Sequence, residues 1–222
     1  AYLVIKGFEP QKTWQYASQY IEGGQHADAI SYMDGTYRPR QHIAVNKKAQ
    51  IGVVNTPIFD YAGRSSLRLA PFAVADNSLR YKTNVSPYPR SFFDAPSTIG
   101  NPQAYTPQNN SLSASRYYSP ANAFAHSHRA YIPQANDRPF ARTLFKNDGT
   151  NRVKEQGGMG PEFQIGSGKT TRYYYLKPSL QELEQLFGED AVGDISHYTK
   201  TIVVGPNGQG RYSIQDPKGQ LI

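Results

Sequence analysis

The 222-residue sequence has no cysteine. That excludes a disulfide framework, a thiolate metal site and a cysteine nucleophile, and leaves the cellular compartment open. No apolar run reaches the about 18 residues that a membrane-spanning helix needs. No secretory leader pattern is visible. Ala1 opens the strand-like AYLVIK without an initiator Met, so the chain is expected to be a mature or trimmed piece of something longer. Blocks of one charge are missing too. The net charge is +7 and the pI about 9.4, but the basic residues are scattered singly. The one adjacent pair, Lys47 and Lys48, reads as a hairpin tip. A basic balance suits nucleic acid, anionic glycan or a membrane surface. Without a basic block or a nucleic-acid motif, no nucleic-acid partner is expected.

What is present favours strands. The apolar share is 38%, and the aromatic share of 13% rests on 17 tyrosines, beside 19 glycines and 16 prolines. This composition suits many short strands joined by turns rather than long helices. In residues 1–83 the segments WQYASQYI, DAISYM, RQHIAV and AQIGVV are short, aromatic or β-branched. They are separated by turn signals at Gly23-Gly24, Asp34-Gly35 and Asn46-Lys47. Residues 84–140 hold eight of the prolines, dotted with Tyr88, Phe92, Phe93, Tyr105, Tyr117, Tyr118, Phe124, Tyr131 and Phe140. A disordered tract is poor in aromatics, so an irregular insertion pinned to a surface by its rings is expected; the alternative is a solvated linker with a mobile tip near 100–115. Residues 141–222 return to strands, with one helix near 179–187. There Ser179 and Glu182 form a capping box, Leu180, Leu183, Leu186 and Phe187 an apolar stripe, and Gly188 a stop. That stripe reads as packing.

Candidate chemistry is sparse. IGSGKTTRYYYLKP ends a phosphate-loop pattern at Gly168, Lys169 and Thr170, but Phe163 stands where the first glycine belongs. The segment also leads into a strand-like TRYYYL instead of the helix whose N-terminal amides face phosphate. His126 and His128 read as surface histidines rather than a metal site, and His26, His42 and His197 as packed or solvated rings. Glu155, Glu162, Asp190 and Asp194 give no reason to be paired as glycosidase carboxylates. Ser167 lies in GSG, not in the G-x-S-x-G of a nucleophile elbow. No enzyme, metal or cofactor is expected. Trp14, Tyr173, Tyr174 and Tyr175 are the residues suited to stacking on a ligand. On a strand Tyr173 and Tyr175 share one face, and Tyr174 takes the other. Buried rings filling a β core are the simpler reading; exposed rings stacking on sugars are the alternative.

A five-residue turn recurs: Asp, two residues, a residue suited to positive φ, then Arg or Gln. It appears as Asp60, Gly63, Arg64; Asp148, Asn151, Arg152; and Asp216, Gly219, Gln220. Gly205, Gly208 and Gln209 repeat it without the Asp, and Asp34 and Arg38 keep it with Tyr37 at the turn position. The physics is that of a hairpin. The Asp side chain accepts from the turn's own amides, and Gly or Asn takes the left-handed conformation.

FDYAGR, NDGTNR and QDPKGQ resemble the tyrosine–aspartate units of the RHS/YD-repeat family. WQYASQYIEGG, AISYMDGTYRPRQ, SASRYYSPAN, QGGMGPEFQIGSGKTTRYYY and SHYTKTIVVGPNGQGRYSIQDPKGQLI are similar to the region ahead of the main repeats in large secreted RHS-type proteins of the Bacteroidota. The resemblance runs from about residue 14, with Ser113–Tyr175 its most specific part. Tyr37 and Gly205 depart from the pattern. It implies a multi-stranded antiparallel sheet that spirals into a shell around a C-terminal cargo, often a toxin. It also implies export by type IX secretion, and secretion-system or outer-membrane partners beside the remainder of its own repeat chain. The reading is thus a non-catalytic structural segment of a secreted or cell-surface protein; the alternative is a surface carbohydrate-binding or adhesion module.

Overall fold

A computed structural model describes residues 8–20, 26–83, 85, 114–122, 129–136, 138–189 and 192–222. His126, His128, Asp190, the Gly23-Gly24 turn, the segment AYLVIK and the insertion tip lie outside the described residues. The chain is mainly β and antiparallel. It divides into two compact units, residues 1–142 with 159–161, and residues 143–158 with 162–222.

In the first unit, β1 (Thr13–Tyr20), β2 (His26–Met33), β3 (Pro39–Asn46), β4 (Ile51–Asn55) and β7 (Phe72–Val74) form one sheet in the order β1-β2-β3-β4-β7. Alternation decides which side chains turn inward. The register sets Tyr16, Ile30, Ile43, Val54 and Phe72 in one row across five strands. A second antiparallel set runs β5 (Pro57–Phe59), β6 (Ser65–Leu69) and the first half of β8 (Phe140–Phe145). It adds Leu67, Leu69 and Phe140 to a single cluster with Ile30, Tyr32, Ile43, Val54 and Phe72. At about 25 cal/mol per Å² of apolar surface, this cluster is the main stabilising term of the unit.

Polar ties close the ends of that core. The Gln41 side-chain amide, fully buried, donates to the Lys82 carbonyl at 3.0 Å and accepts from the Lys82 N–H at 2.8 Å. It thereby replaces a strand partner for a segment that has none. The Tyr32 hydroxyl sits between two acceptors, the Leu79 carbonyl at 2.7 Å and the Glu9 carboxylate, and shares its one proton with them. Gly52 is where the Asp76 carbonyl comes close; an added Cβ would stand 2.7 Å from that oxygen. Of the 84–140 region, Val85, Ala114 and Ala135 are buried, and Tyr117 and Tyr118 pack on the cluster. Tyr131 is exposed.

The second unit carries the end of β8, then β9 (Val153–Gly157), β10 (Thr171–Leu176), β11 (Thr199–Val204) and β12 (Gly210–Gln215), adjacent in that order. Its helix, Leu180–Phe187, starts at Ser179, whose hydroxyl accepts from the Glu182 N–H at 3.3 Å while the Glu182 carboxylate accepts from the Ser179 N–H at 2.9 Å. Gly188 ends it at φ 95°. The expectation that the whole stripe packs needs correction. Leu183 is fully buried, but Leu180, Leu186 and Phe187 are each about half exposed. An eight-residue helix presents little more than two turns, and one leucine takes the inward position.

Among the described residues four hairpin turns share one closure. The amide of the first turn residue donates to the carbonyl of the fifth, and the amide of the fourth donates back to the carbonyl of the first. This holds for Asp34 to Arg38, Asp60 to Arg64, Gly205 to Gln209 and Asp216 to Gln220, at 2.8–3.0 Å throughout. The fourth residue is left-handed in every case: Tyr37 at φ 58°, Gly63 at 77°, Gly208 at 80° and Gly219 at 78°. This is the three-residue hairpin loop with a bulge, whose twist matches that of the strands it joins. Asp148 is different. There Lys146 N–H donates to the Arg152 carbonyl at 2.8 Å, so the loop is two residues wider. Asp148 accepts from the Thr150 amide and hydroxyl, at 3.0 and 2.5 Å, and the Arg152 amide turns to the Thr150 hydroxyl at 3.4 Å. Thr150 thus stands between the aspartate and the amide it would otherwise hold. Gly149 and Asn151 are both left-handed, at 75° and 55°.

Candidate binding surface

The turn aspartates act within their own loops. Asp34 accepts from the Thr36 amide at 2.8 Å, the Thr36 hydroxyl at 2.7 Å and the Arg38 amide at 3.1 Å, and pairs with the Arg38 guanidinium at 3.1 Å. The Thr36 hydroxyl, then the turn amides and Arg38, hold its carboxyl well below the ordinary range. Asp60 accepts from the Arg64 amide at 2.9 Å and the Arg64 side chain at 2.8 Å. Asp216 accepts from the Lys218 and Gln220 amides at 2.9 and 2.8 Å. Their oxygens are occupied by turn donors, as a structural role requires.

The phosphate-loop string serves a different end. Gly168 is left-handed at φ 84°, and β10 begins three residues after it, at Thr171. Lys169 pairs with Glu162 at 3.1 Å, and the Thr170 hydroxyl, 2% exposed, donates to Glu155. No helix N-terminus follows, so the geometry of a phosphate cradle is missing.

One buried polar cluster was not legible in the sequence. Asp28, 4% exposed, accepts at one oxygen from Tyr16 (2.7 Å) and Ser18 (2.8 Å). Its other oxygen meets Lys47 at 2.5 Å and His26 at 3.4 Å. Burial works against the charged carboxylate, but the bonds from Lys47, Tyr16 and Ser18 and the Lys47 charge outweigh it and hold the pKa at about 2. The only signal for it was a charged residue on the inward side of an alternating strand. Its carboxylate is met by four neighbours, in a cross-strand row that also holds the buried Val45 and Val74.

Of the candidate stacking residues, Trp14 is half-buried against the core, its indole N–H donating to the Phe8 carbonyl at 3.1 Å and its ring edge-on to Phe8. Trp14 belongs to the first unit, and the three tyrosines lie in the other, on β10. Tyr173, half-buried, donates to the Gln156 side chain at 2.7 Å. Tyr174 is 43% exposed and shares a cross-strand row with Ile202 and Tyr212, the last 66% exposed. Tyr175 lies on the opposite face, in a row with Thr201 and Ser213. The Lys146 ammonium and the Arg152 guanidinium stand 5.0 and 5.1 Å from its ring centre. Beside it opens a cleft of about 410 Å³, lined among others by Arg152, Tyr175, Lys177, Tyr198 and Gln215. Among the described residues no three His, Cys, Asp or Glu side chains gather closely enough to hold a metal ion.

A family described as a domain of unknown function, DUF6443, matches residues 7–177, more than three quarters of the chain. The chain belongs to the DUF6443 family. The DUF6443 match covers Trp14 and the three tyrosines, the turns at Asp34, Asp60 and Asp148, and the polar cluster at Asp28. No curated protein matches the chain.

Proposed function

We propose that the chain is a non-catalytic structural segment of a large secreted or cell-surface protein, one that builds part of a β-shell carrying or displaying a C-terminal cargo such as a toxin. The observation that carries this reading is the turn closure used four times among the described residues with the same hydrogen bonds, three times between antiparallel strands and once, at Asp216, leading to a single bridge at Leu221. A unit that repeats one turn in this way extends a sheet by addition. The exposed row Tyr174, Ile202 and Tyr212 is the kind of surface that neighbouring strands of the same parent chain would cover. The export route, type IX secretion, and the cargo come from the resemblance to RHS/YD-repeat proteins alone.

The test is the size and place of the native protein. An antibody against residues 1–222 is expected to detect, in cell-surface and culture-medium fractions, a species far larger than the 24.8 kDa of this chain. A species of about 25 kDa confined to the cytoplasm would overturn the proposal.

A further inference from the structure

The cleft beside Tyr175 has a composition of its own. Tyr175 and Tyr198 give it aromatic walls, and Arg152 and Lys177 bring two positive charges. Ser196, Thr201 and Gln215 add hydroxyl and amide groups, and no carboxylate lines it. Lys200, also at its edge, is committed to Glu182. A second acidic group close by, Asp194, turns its carboxylate to the Ser196 amide at 2.8 Å, and the charges of His197 and Lys177 help hold it ionised. The Arg152 guanidinium is held against the Tyr175 ring, which restricts it before any ligand arrives. The volume of about 410 Å³ is at the lower end of small-molecule sites.

We infer that this cleft binds an acidic saccharide, a sugar carrying a carboxylate such as a uronic acid. Arg152 and Lys177 take the carboxylate, the former through the paired donors of its planar fork. Tyr175 and Tyr198 flank the apolar C–H face of the ring, and the Ser, Thr and Gln side chains take the sugar hydroxyls. This role is independent of the structural one. It uses the face of the sheet opposite the Tyr174 row.

The test is titration calorimetry of the 222-residue chain with trigalacturonate and with a neutral trisaccharide. Trigalacturonate is expected to bind at least about tenfold more tightly than the neutral sugar, and more weakly as salt is raised. Arg152→Gln and Lys177→Gln are each expected to weaken it by about tenfold, with the thermal transition unchanged. Lys177 is exposed on the strand-to-helix link, so its variant keeps the test valid if Arg152→Gln disturbs its hairpin. Absence of binding at about 1 mM, equal affinity for the neutral sugar, indifference to both substitutions, or tighter binding of inorganic phosphate or an oligonucleotide would each overturn the inference.

Discussion

The two units put similar side chains into similar rows and give them opposite fates. In the first, Tyr16, Ile30, Ile43, Val54 and Phe72 line up across five strands, and Ile30, Ile43, Val54 and Phe72 are almost completely buried. In the second, Tyr174, Ile202 and Tyr212 line up across three strands, and the two tyrosines are widely exposed. Among the described residues the buried apolar side chains of the second unit are Ile165, Leu183 and Ile214, whereas the main cluster lies wholly in the first. The difference is a covering layer. β5, β6 and β8 supply one to the first unit, while one short helix serves the second. A row of β-branched and aromatic residues specifies a strand, and only a second layer makes it a core.

The largest test of this contrast is truncation in the two rows. Phe72→Ala should lower stability to urea by about 3–5 kcal/mol, and Tyr174→Ala by less than about 0.5 kcal/mol. A comparable loss at Tyr174 would mean that the second unit has a core of its own. Next comes Gln41→Ala, expected to cost about 1–3 kcal/mol, because it strands the N–H and carbonyl of Lys82 away from water. Hydrogen exchange at Lys82 should quicken in the same variant. In the second unit Ser179→Ala should remove about 1 kcal/mol of helix stability, read as lost ellipticity with little change in the transition of the first unit.

The smallest effects distinguish turns. Gly219→Ala should cost about 1 kcal/mol, and Tyr37→Gly should gain up to about that amount, since a left-handed side chain is strained where glycine is not. Equal and negligible effects would show that the bulge is held from outside the turn. Acid sharpens the comparison further. The pKa of Asp28 is depressed from 3.8 to about 2, so its stabilisation is full above the unfolded value and lost as the pH falls through that interval. Denaturation monitored by the lone tryptophan of the first unit, Trp14, should therefore shift between about pH 4 and 2. Lys47→Ala should flatten that dependence.

Local signals in the sequence were sufficient for the turns and the helix. An Asp or Gly followed at the fourth place by glycine states a bulged hairpin in five residues, and Ser179 with Glu182 states a helix start, because each device closes on itself. Asp148 shows the limit of such reading. Its Thr150 bonds the carboxylate as Thr36 bonds Asp34, yet the Arg152 amide turns to the Thr150 hydroxyl and the loop closes two residues wider. The candidate cleft was half legible. Tyr175 stood out as an aromatic on a strand, but Arg152, Lys177 and Tyr198 lie between 2 and 23 positions away, and no periodicity links them. The cluster on Asp28 joins residues 16 to 47 in the same manner.

By itself the sequence determined that this chain is a mainly antiparallel β protein, with its strands, its turn closures and the capped helix at 180–187, because these follow from interactions among near neighbours. Tertiary structure alone decided which apolar row became a core and which stayed open. It likewise decided where Asp28 found Lys47 and where Tyr175 met Arg152. Those outcomes depend on strand order and on covering layers, which bring together residues that the chain keeps far apart.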